Sequence, residues 1–467
     1  MKSPFAFPSL LNFVRDRRAN VIVLFAFILI PIVGLSSLAI DYGSALAKKA
    51  QLNSAADAAA LAAINQAQAD IIAGDTTTFA TSDGIAQAQK VFASNAGAAF
   101  ALLSAAPTIT LTRTGQTFSS SVAYQGSMNT HFGKLFHVSA MNLSNTSNSS
   151  LTMGMYLSFY LLLDVSGSMG IPSTASEINR LAAINPDFLN LYPGGCTLSC
   201  HFTAYPACQD INGNTTYCQG FNLTRTGGNS QNTPVSFCQQ PGTAACIQLR
   251  LDAVAYAVQQ LLATAQETQT IPSQFAVGLY PFIAQMQTYQ ALTTSLSTVS
   301  AAAGNLTSLI DNGTPTGLGS GGTHFENVLP ALNNVIASVG DGSGPSSYKP
   351  FVFMVTDGAQ DNQYQLGNGN WSGSNSATTL NEANCTTLKN RGITLAVLYV
   401  PYVPIPNPTT IWNDEDGYAN ANIPNIPPSL KACASPGFFF TASTPTDITN
   451  AMQAMFAQSL QAARLTH

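Results

Sequence analysis

The fold of this chain is decided by the stretch Tyr156-Leu-Ser-Phe-Tyr-Leu-Leu-Leu-Asp164-Val-Ser166-Gly-Ser168-Met-Gly170. Its first part is a run that is apolar except for Ser158, which predicts a β-strand buried on both faces, as in a parallel sheet. The run ends directly in Asp164, and Ser166 and Ser168 follow at alternate positions of a glycine-containing loop. One carboxylate and two hydroxyls at this spacing can turn inward around a hard divalent cation.

Two further segments carry the same kind of signal. Gly321-Gly-Thr323 precedes a predicted helix whose apolar residues recur at helical spacing: Val328, Leu329, Leu332, Val335, Ile336 and Val339. Phe351-Val-Phe-Met-Val-Thr356 predicts a second buried strand, and it ends in Asp357-Gly358. Taken singly, Asp357 is also compatible with an ordinary turn, and Thr323 with Glu326 is compatible with a helix capping box.

Together the three segments resemble the metal-ion-dependent adhesion site of von Willebrand factor type A domains. The family's five ligand positions fall on Asp164, Ser166, Ser168, Thr323 and Asp357. The resemblance spans about residues 156–467. It implies Mg²⁺, or Mn²⁺ or Ca²⁺, held directly by the hydroxyls and largely through water by the aspartates. It also implies that an Asp or Glu of a protein partner completes the coordination shell.

The remainder of this region alternates between helix and strand patterns. An amphipathic helix is predicted over 251–262, strands over 275–280 and 393–400, and a capped helix from Thr444-Pro-Thr-Asp447 onward. This alternation predicts an α/β fold with a doubly wound, mostly parallel, Rossmann-like sheet. Ligands of such sheets bind at the carboxyl ends of the strands.

An uncharged apolar segment lies near the N-terminus. Residues 21–40 would span about 30 Å as a helix, which is one hydrocarbon thickness. Three cations flank its N-terminal side: Arg15, Arg17 and Arg18. Since no cation directly follows the segment, the positive-inside rule predicts a cytoplasmic N-terminus and a single-pass anchor. The alternative is a signal peptide cleaved at Ala45-Leu-Ala47, but the apolar core is longer than a signal's 7–15 residues.

The segment that follows, 41–70, is rich in alanine and predicts a helical shaft that continues the membrane helix. This shaft is either a plain stalk or a small-residue face that packs on like helices. Three motifs, Arg17-Arg-Ala-Asn-Val, Ile40-Asp-Tyr-Gly and Leu52-Asn-Ser-Ala-Ala-Asp, resemble the N-terminal domain of TadE/TadG-like proteins of the tight-adherence (Flp) pilus system. The resemblance covers about residues 15–65. It implies a bacterial inner-membrane protein whose bulk is periplasmic or surface-exposed.

We therefore expect three regions. Residues 1–70 comprise a cytoplasmic stub, the transmembrane helix at about 20–40 and the shaft. Residues 71–155 form a small α+β module with a helix around 85–103 and strands at 108–113, 117–126 and 139–153, and its histidines, His131 and His137, are isolated. Residues 156–467 form the von Willebrand factor A domain, which carries a cysteine-rich insertion at 170–249.

Six of the eight cysteines lie in that insertion: Cys196, Cys200, Cys208, Cys218, Cys238 and Cys246. In an oxidising compartment they predict three disulfides of undetermined pairing, with a zinc site at Cys196-x₃-Cys200-His201 as the alternative. Cys385 and Cys433 are predicted to pair with each other. Because the insertion begins directly after the Ser168 loop, we expect it to lie beside the metal. It is either a cap that determines binding specificity or a decorative loop without a role in binding.

Composition excludes several other classes of protein. The chain has 17 Lys and Arg in 467 residues and a formal net charge of −5, which leaves no basic stripe for nucleic acid. Gly317–Gly322 lacks the Lys-Ser/Thr of a phosphate-binding loop. No Ser-His-Asp arrangement accompanies the aspartate loop, and His324 alone is weak support for a hydrolase, so we predict a protein that is not an enzyme.

The sequence thus predicts a membrane-anchored, extracytoplasmic, metal-dependent binding protein of tight-adherence pilus assembly or adhesion, with pilus or envelope proteins as partners. The alternative is a structural subunit of the pilus machinery that has no metal-dependent binding. A chelatase-type subunit also uses this domain, but it works beside a cytosolic ATPase, on the opposite side of the membrane.

Overall fold

The computed structural model describes residues 19–184, 197, 212, 214, 238–243, 246–311, 316–364, 372–374, 376–404 and 413–465. The chain divides into two compact units that meet between Met153 and Gly154. The arginines expected on the cytoplasmic side lie outside the described residues, as do four cysteines of the insertion and the alternative zinc motif around His201.

The first unit begins with one long helix, α1 (Ala19–Ala73). Among the described residues it is the one helix long and apolar enough to cross a membrane. The helix continues through Pro31 without interruption, and the alanine-rich shaft extends it as the sequence predicts. Its apolar side chains between residues 21 and 35 are mostly exposed, as expected of a surface that faces lipid.

The alanine face of the shaft is covered by the chain itself, so this part of the helix is not a plain stalk. Alanines 55, 56, 59, 60, 63 and 67 are fully buried in a core that α1 shares with helix α2 (Thr77–Ala96) and a small sheet. Polar residues fasten the same helix. Asn53 accepts a hydrogen bond from the Tyr124 hydroxyl at 2.6 Å, and Asp57 accepts one from the Ser147 hydroxyl at 2.5 Å.

That sheet is an antiparallel meander of three strands: β1 (Thr108–Thr114), β2 (Thr117–Asn129) and β3 (Ala140–Thr152). The three predicted strands are therefore present within a few residues of their expected limits. The predicted helix begins earlier than expected because Thr76 caps it, accepting a hydrogen bond from the Phe79 amide at 3.3 Å. A 3₁₀ turn at Gly97–Leu102 follows it.

The second unit is built on a six-stranded sheet with the order β11-β10-β7-β4-β5-β6. Its strands are β4 (Leu157–Asp164), β5 (Phe275–Phe282), β6 (Gln290–Thr293), β7 (Lys349–Thr356), β10 (Thr394–Tyr399) and β11 (Phe439–Thr441). All neighbouring strands are parallel except the edge strand β6. β8 (Ala359–Gln360) and β9 (Thr378–Thr379) form a separate ribbon.

Helices cover both faces of the sheet, which explains why every residue of β4 and β5 is buried. One core joins the sheet to α4 (Arg250–Thr268), α5 (Leu296–Ala303) and α10 (Pro445–Leu465). The other joins it to α6 (Phe325–Val335), α7 (Glu382–Asn390) and α9 (Ile426–Cys433). The remaining helices are α3 (Ala175–Ile184) and α8 (Asn413–Asn422). The prediction of a doubly wound, mostly parallel sheet is confirmed.

Helix α6 is shorter than its apolar pattern predicts. It ends at Val335, and Val339 lies beyond it and is 38% exposed. The Arg391 guanidinium donates to the carbonyl oxygens of Asn333 and Ile336, which satisfies carbonyls that the helix end leaves without a partner.

Two disulfides are present among the described residues. Cys385 pairs with Cys433 and links α7 to α9, which confirms the pairing predicted from the sequence. Cys238 pairs with Cys246 at the end of the insertion.

Candidate metal centre

The order of the strands brings Asp164 and Asp357 to the same edge of the sheet. β4 and β7 are neighbours in the middle of the sheet, and the strand order reverses between them. Leu163 of β4 pairs with Val355 of β7, so Asp164 and Asp357 emerge together at the carboxyl ends of these strands. This is the topological switch point, where open α/β sheets bind their ligands.

The protein itself orients the Asp164 carboxylate. One oxygen accepts a hydrogen bond from the Ser166 amide at 3.0 Å, and the other accepts one from the Thr356 hydroxyl at 2.6 Å. The Ser166 and Ser168 hydroxyl oxygens lie 3.1 Å apart. Burial raises the pKa of Asp164, and the hydrogen bonds from Ser166 and Thr356 oppose this rise.

Asp357 is fully buried, and neither of its carboxylate oxygens accepts a hydrogen bond of ordinary geometry, although the Ser168 hydroxyl and the Ala359 amide lie close enough to act on it. The nearest cation is Arg250, whose Nη1 lies 3.7 Å from Oδ2. Burial, followed by the charge of Asp164, raises the pKa of Asp357 to about 7, while Arg250, Ser168 and the Ala359 backbone act in the opposite direction. A buried carboxylate with such distant partners is costly, and a bound cation would offset that cost.

Thr323 is held at the same end of the sheet by its backbone. Its carbonyl accepts a hydrogen bond at 3.2 Å from the amide of Asp361, four residues after Asp357. The next amide, that of His324, donates to the Ile283 carbonyl directly after β5 at 3.1 Å. Among the five predicted residues, Ser166 interacts directly with both Asp164 and Ser168, and Asp357 lies at the end of the neighbouring strand. Thr323 is held through backbone contacts, to Asp361 and, by way of His324, to Ile283.

The capping-box interpretation of Thr323 and Glu326 is wrong. Helix α6 has His324 as its N-cap residue, and no side chain caps it. Glu326 instead lies 2.7 Å from Nδ1 of His324, and the other ring nitrogen lies 3.3 Å from the Gln363 carbonyl oxygen. Because Thr323 lies one position outside the cap, its hydroxyl is not used to start the helix.

Sequence reasoning missed three residues that shape this site. The Asp311 carboxylate accepts hydrogen bonds at 2.8 Å from the Ser320 hydroxyl and the Gly321 amide, and the Asp311 amide donates to the Val165 carbonyl. It therefore ties the Thr323 loop to the loop after β4. Thr356, the last residue of β7, orients Asp164.

Arg250 is the third missed residue, and one signal in the sequence could have found it. It is the first residue of α4, where the helix dipole disfavours a cation. Its guanidinium is buried, donates to the Pro401 carbonyl at 2.8 Å and faces Asp357. The sequence signal is therefore weak: an Arg at a position that the helix dipole disfavours.

The residues present suit a hard cation better than zinc. Among the described residues there is no group of three or more His, Cys, Asp or Glu side chains placed so that it could hold a metal ion. Carboxylate and hydroxyl oxygens are ligands that Mg²⁺ accepts together with water. The carboxylate oxygens of Asp357 and the hydroxyl pair of Ser166 and Ser168 provide such a set.

The family comparison concerns the first unit. Residues 20–74 match the model of the Tad family, described as Flp pilus-assembly TadE/G-like. The match confirms, for this segment, the resemblance drawn from the Ile40-Asp-Tyr-Gly and Leu52-Asn-Ser-Ala-Ala-Asp motifs. It agrees with a membrane anchor at this end and with a pilus-related role. No curated protein matches the chain.

Solved structures are similar to the chain at low identity. The PilB minor pilin from Streptococcus sanguinis is 10% identical, with 76% of this chain and 78% of that chain covered and a TM-score of 0.33. The vWF domain of the type V pili tip protein Mfa5 from Porphyromonas gingivalis is 12% identical, with 66% and 96% covered and a TM-score of 0.32. BatB from Bacteroides thetaiotaomicron is 12% identical, with 65% and 99% covered and a TM-score of 0.31. These overlaps are low, so the description of the fold rests on the strand order given above.

The raised pKa of Asp357 predicts that metal affinity depends on pH. A cation binds the deprotonated carboxylate, whose fraction falls about tenfold per pH unit below its pKa. We expect the Mg²⁺ dissociation constant to be nearly constant above pH 7.5 and to increase steeply from pH 6.5 to 5.5. Calorimetric titration of the full chain in detergent measures this, and an affinity unchanged over that range would contradict it.

Proposed function

We propose that this chain is a membrane-anchored, extracytoplasmic binding protein of tight-adherence (Flp) pilus assembly or adhesion. A divalent cation, Mg²⁺ or else Mn²⁺ or Ca²⁺, binds Asp164, Ser166, Ser168, Thr323 and Asp357, and the metal captures an Asp or Glu of a pilus or envelope protein. The protein sits in the bacterial inner membrane as a single-pass protein with a cytoplasmic N-terminus. Its role is binding, without catalysis.

The observation that carries the proposal is the buried carboxylate of Asp357. Neither of its oxygens accepts a hydrogen bond of ordinary geometry, and they lie beside a second buried aspartate and two neighbouring hydroxyls at the switch point of the sheet. Two carboxylates and three hydroxyls leave room in an octahedral shell for water or an outside oxygen ligand.

The charges of the site favour a carboxylate as the incoming group. Arg250 lies 3.7 Å from Asp357 and partly balances the two aspartates. A divalent cation added to these three side chains leaves one net positive charge in a buried environment. An Asp or Glu of a partner would neutralise it, and electrostatic attraction is strong where water is excluded.

The insertion begins and ends beside the site, which supports its role as a specificity cap. Pro172 and Leu249 form an antiparallel bridge, and the Arg250 amide donates to the Ile171 carbonyl at 2.9 Å. The buried carboxylate of Glu177, near the start of the insertion, accepts hydrogen bonds from the Gly242 and Gln248 amides near its end. Both ends are therefore fixed within a few residues of Ser168.

The proposal is tested by crosslinking the full chain in its native envelope with and without a chelator. We expect a crosslinked pilus or envelope protein that disappears with EDTA, returns with Mg²⁺, and is absent from the Asp164→Ala and Thr323→Ala variants. Circular dichroism of the purified variants controls for folding. A crosslink that persists in EDTA and in both variants would reject metal-dependent capture.

The second candidate is a structural subunit whose aspartate loop only stabilises the fold. One observation favours it: Arg250 already supplies Asp357 with a buried positive neighbour. In that case chelation would leave both the crosslinks and pilus assembly intact.

A further inference from the structure

The turn between β2 and β3, residues 130–139, is fastened to the long helix at its juxtamembrane end. We call these residues the hairpin tip. The buried Asp41 carboxylate accepts hydrogen bonds from three consecutive amides of the tip, those of His131 at 3.0 Å and of Phe132 and Gly133 at 2.8 Å. These bonds fix the tip against the end of the apolar segment.

The tip also reaches back along the apolar segment. Gly34 of α1 is buried although most of its neighbours in the helix are exposed, and a Cβ added there would lie 2.6 Å from Cζ of Phe136. The Phe136 ring therefore lies directly on bare helix backbone. Gly34 precedes Ile40, the last apolar residue of the segment, by six positions, which is about 9 Å along a helix.

The side chains of the tip suit a lipid environment. Phe132, Phe136 and Val138 are 40%, 46% and 38% exposed, an unusual density of exposed large apolar groups for one turn. No acidic residue occurs between positions 125 and 145, and Lys134 is exposed in the same turn. Long cationic side chains extend to lipid phosphates from positions near the interface.

We propose that the hairpin tip inserts into the bilayer beside α1, in the leaflet on the side of the folded units. Phe132, Phe136 and Val138 enter the acyl-chain boundary, and Lys134 extends to the phosphates. The occupant of this surface is lipid, because the tip packs on the same helical segment that spans the membrane. Asp41 satisfies three amides that have no access to water at this depth, where a backbone group must find its partner within the protein. The inference is independent of the metal centre and of the direction in which the helix crosses.

The test places a tryptophan at the tip of the full chain, with the native Trp371 and Trp412 replaced by phenylalanine. The Phe136→Trp and Val138→Trp variants are reconstituted into phosphatidylcholine vesicles with or without bromine on the acyl chains. We expect both tryptophans to emit at short wavelength, to lose most of their fluorescence in brominated vesicles and to resist aqueous iodide.

The matched control is Phe100→Trp, at a side chain that is 38% exposed in the same unit. It lies in the 3₁₀ turn in which Gly97 faces Gln51, about 16 Å beyond Ile40 along the helix. We expect iodide to quench it and bromolipid to leave it unchanged. Quenching of the tip tryptophans by iodide but not by bromolipid would overturn the proposal. Protection from both quenchers would overturn it as well, because it would mean that protein, such as a second copy of this chain, covers the tip.

Discussion

The Asp357→Asn variant is expected to lose Mg²⁺ binding without unfolding. Asparagine keeps the shape of the side chain but removes the charge that attracts the cation. Because the pKa of Asp357 is raised to about 7, the wild-type carboxyl is mostly neutral at pH 5.5, and the variant resembles that protonated form. We therefore expect wild type and variant to be similarly stable at pH 5.5 without metal.

At pH 7.5 the two proteins should differ in their response to Mg²⁺. A ligand at one hundred times its dissociation constant stabilises a protein by about 2.7 kcal/mol, and only the wild type should gain this. Thermal unfolding of the full chain in detergent with a Mg²⁺ titration measures it. If Arg250 and Asp357 instead form a structural ion pair, the variant should be destabilised by roughly 3–5 kcal/mol even without metal.

A matched control for this experiment is Asp341→Asn. Asp341-Gly-Ser343 repeats the Asp-x-Ser pattern, and Asp341 accepts hydrogen bonds from the Ser343 amide and the Ser347 hydroxyl, both at 2.9 Å. The adjacent Gly342 carbonyl accepts from the Tyr156 amide just before β4, so this turn lies at the opposite end of the sheet. We expect Asp341→Asn to retain the full Mg²⁺ response.

The Asp252→Ala variant is expected to lose at least about 4 kcal/mol of stability, because hydrogen bonds to a charged group contribute about 1.5–3 kcal/mol each. The Asp252 carboxylate is fully buried and accepts three of them: from the Leu249 amide at 2.8 Å, the Cys238 amide at 3.2 Å and the Thr307 hydroxyl at 2.7 Å. Alanine would leave these donors buried and unsatisfied. Chemical unfolding of the full chain measures the loss.

Asp447→Ala is the control for Asp252→Ala. Asp447 occupies the corresponding position in the first turn of α10, where it accepts from the Thr444 amide at 3.2 Å, but it is exposed. Water can replace the Asp447 carboxylate as the hydrogen-bond acceptor. We therefore expect the variant to lose about 1 kcal/mol in the free energy of unfolding, typical of a lost helix cap. Equal losses in the two variants would contradict the importance we assign to burial at Asp252.

The sequence was sufficient for the features that depend on local pattern. β4 and β7 are buried on both faces, so nearly all of their residues are apolar, and each strand leads to an aspartate that the sheet then brings to the switch point. The cap of α10 was predictable for the same reason, since Thr444 and Asp447 interact across a single turn.

Features that depend on distant contacts were not predictable from the sequence. Thr323 and Glu326 have the spacing of a capping box, but the Glu326 carboxylate interacts with the His324 ring instead. The helix also begins one residue later than that pattern implies. Arg250 meets Asp357 across more than one hundred residues of chain. The alanine face of α1 gave no indication that this chain's own sheet covers it, because small residues suit contact with a helix or a strand equally well.

The bridge between Pro172 and Leu249 has a consequence for how such domains diversify. Among the described residues, the start and end of the inserted segment are joined by this bridge and by the buried carboxylate of Glu177, and Asp252 of α4 accepts a hydrogen bond from the Leu249 amide. Loop length adds little to the entropic cost of closure once the ends are joined. Related chains can therefore carry an inserted segment of another size. The binding specificity that such a segment provides can then change while the six-stranded sheet beneath it stays the same.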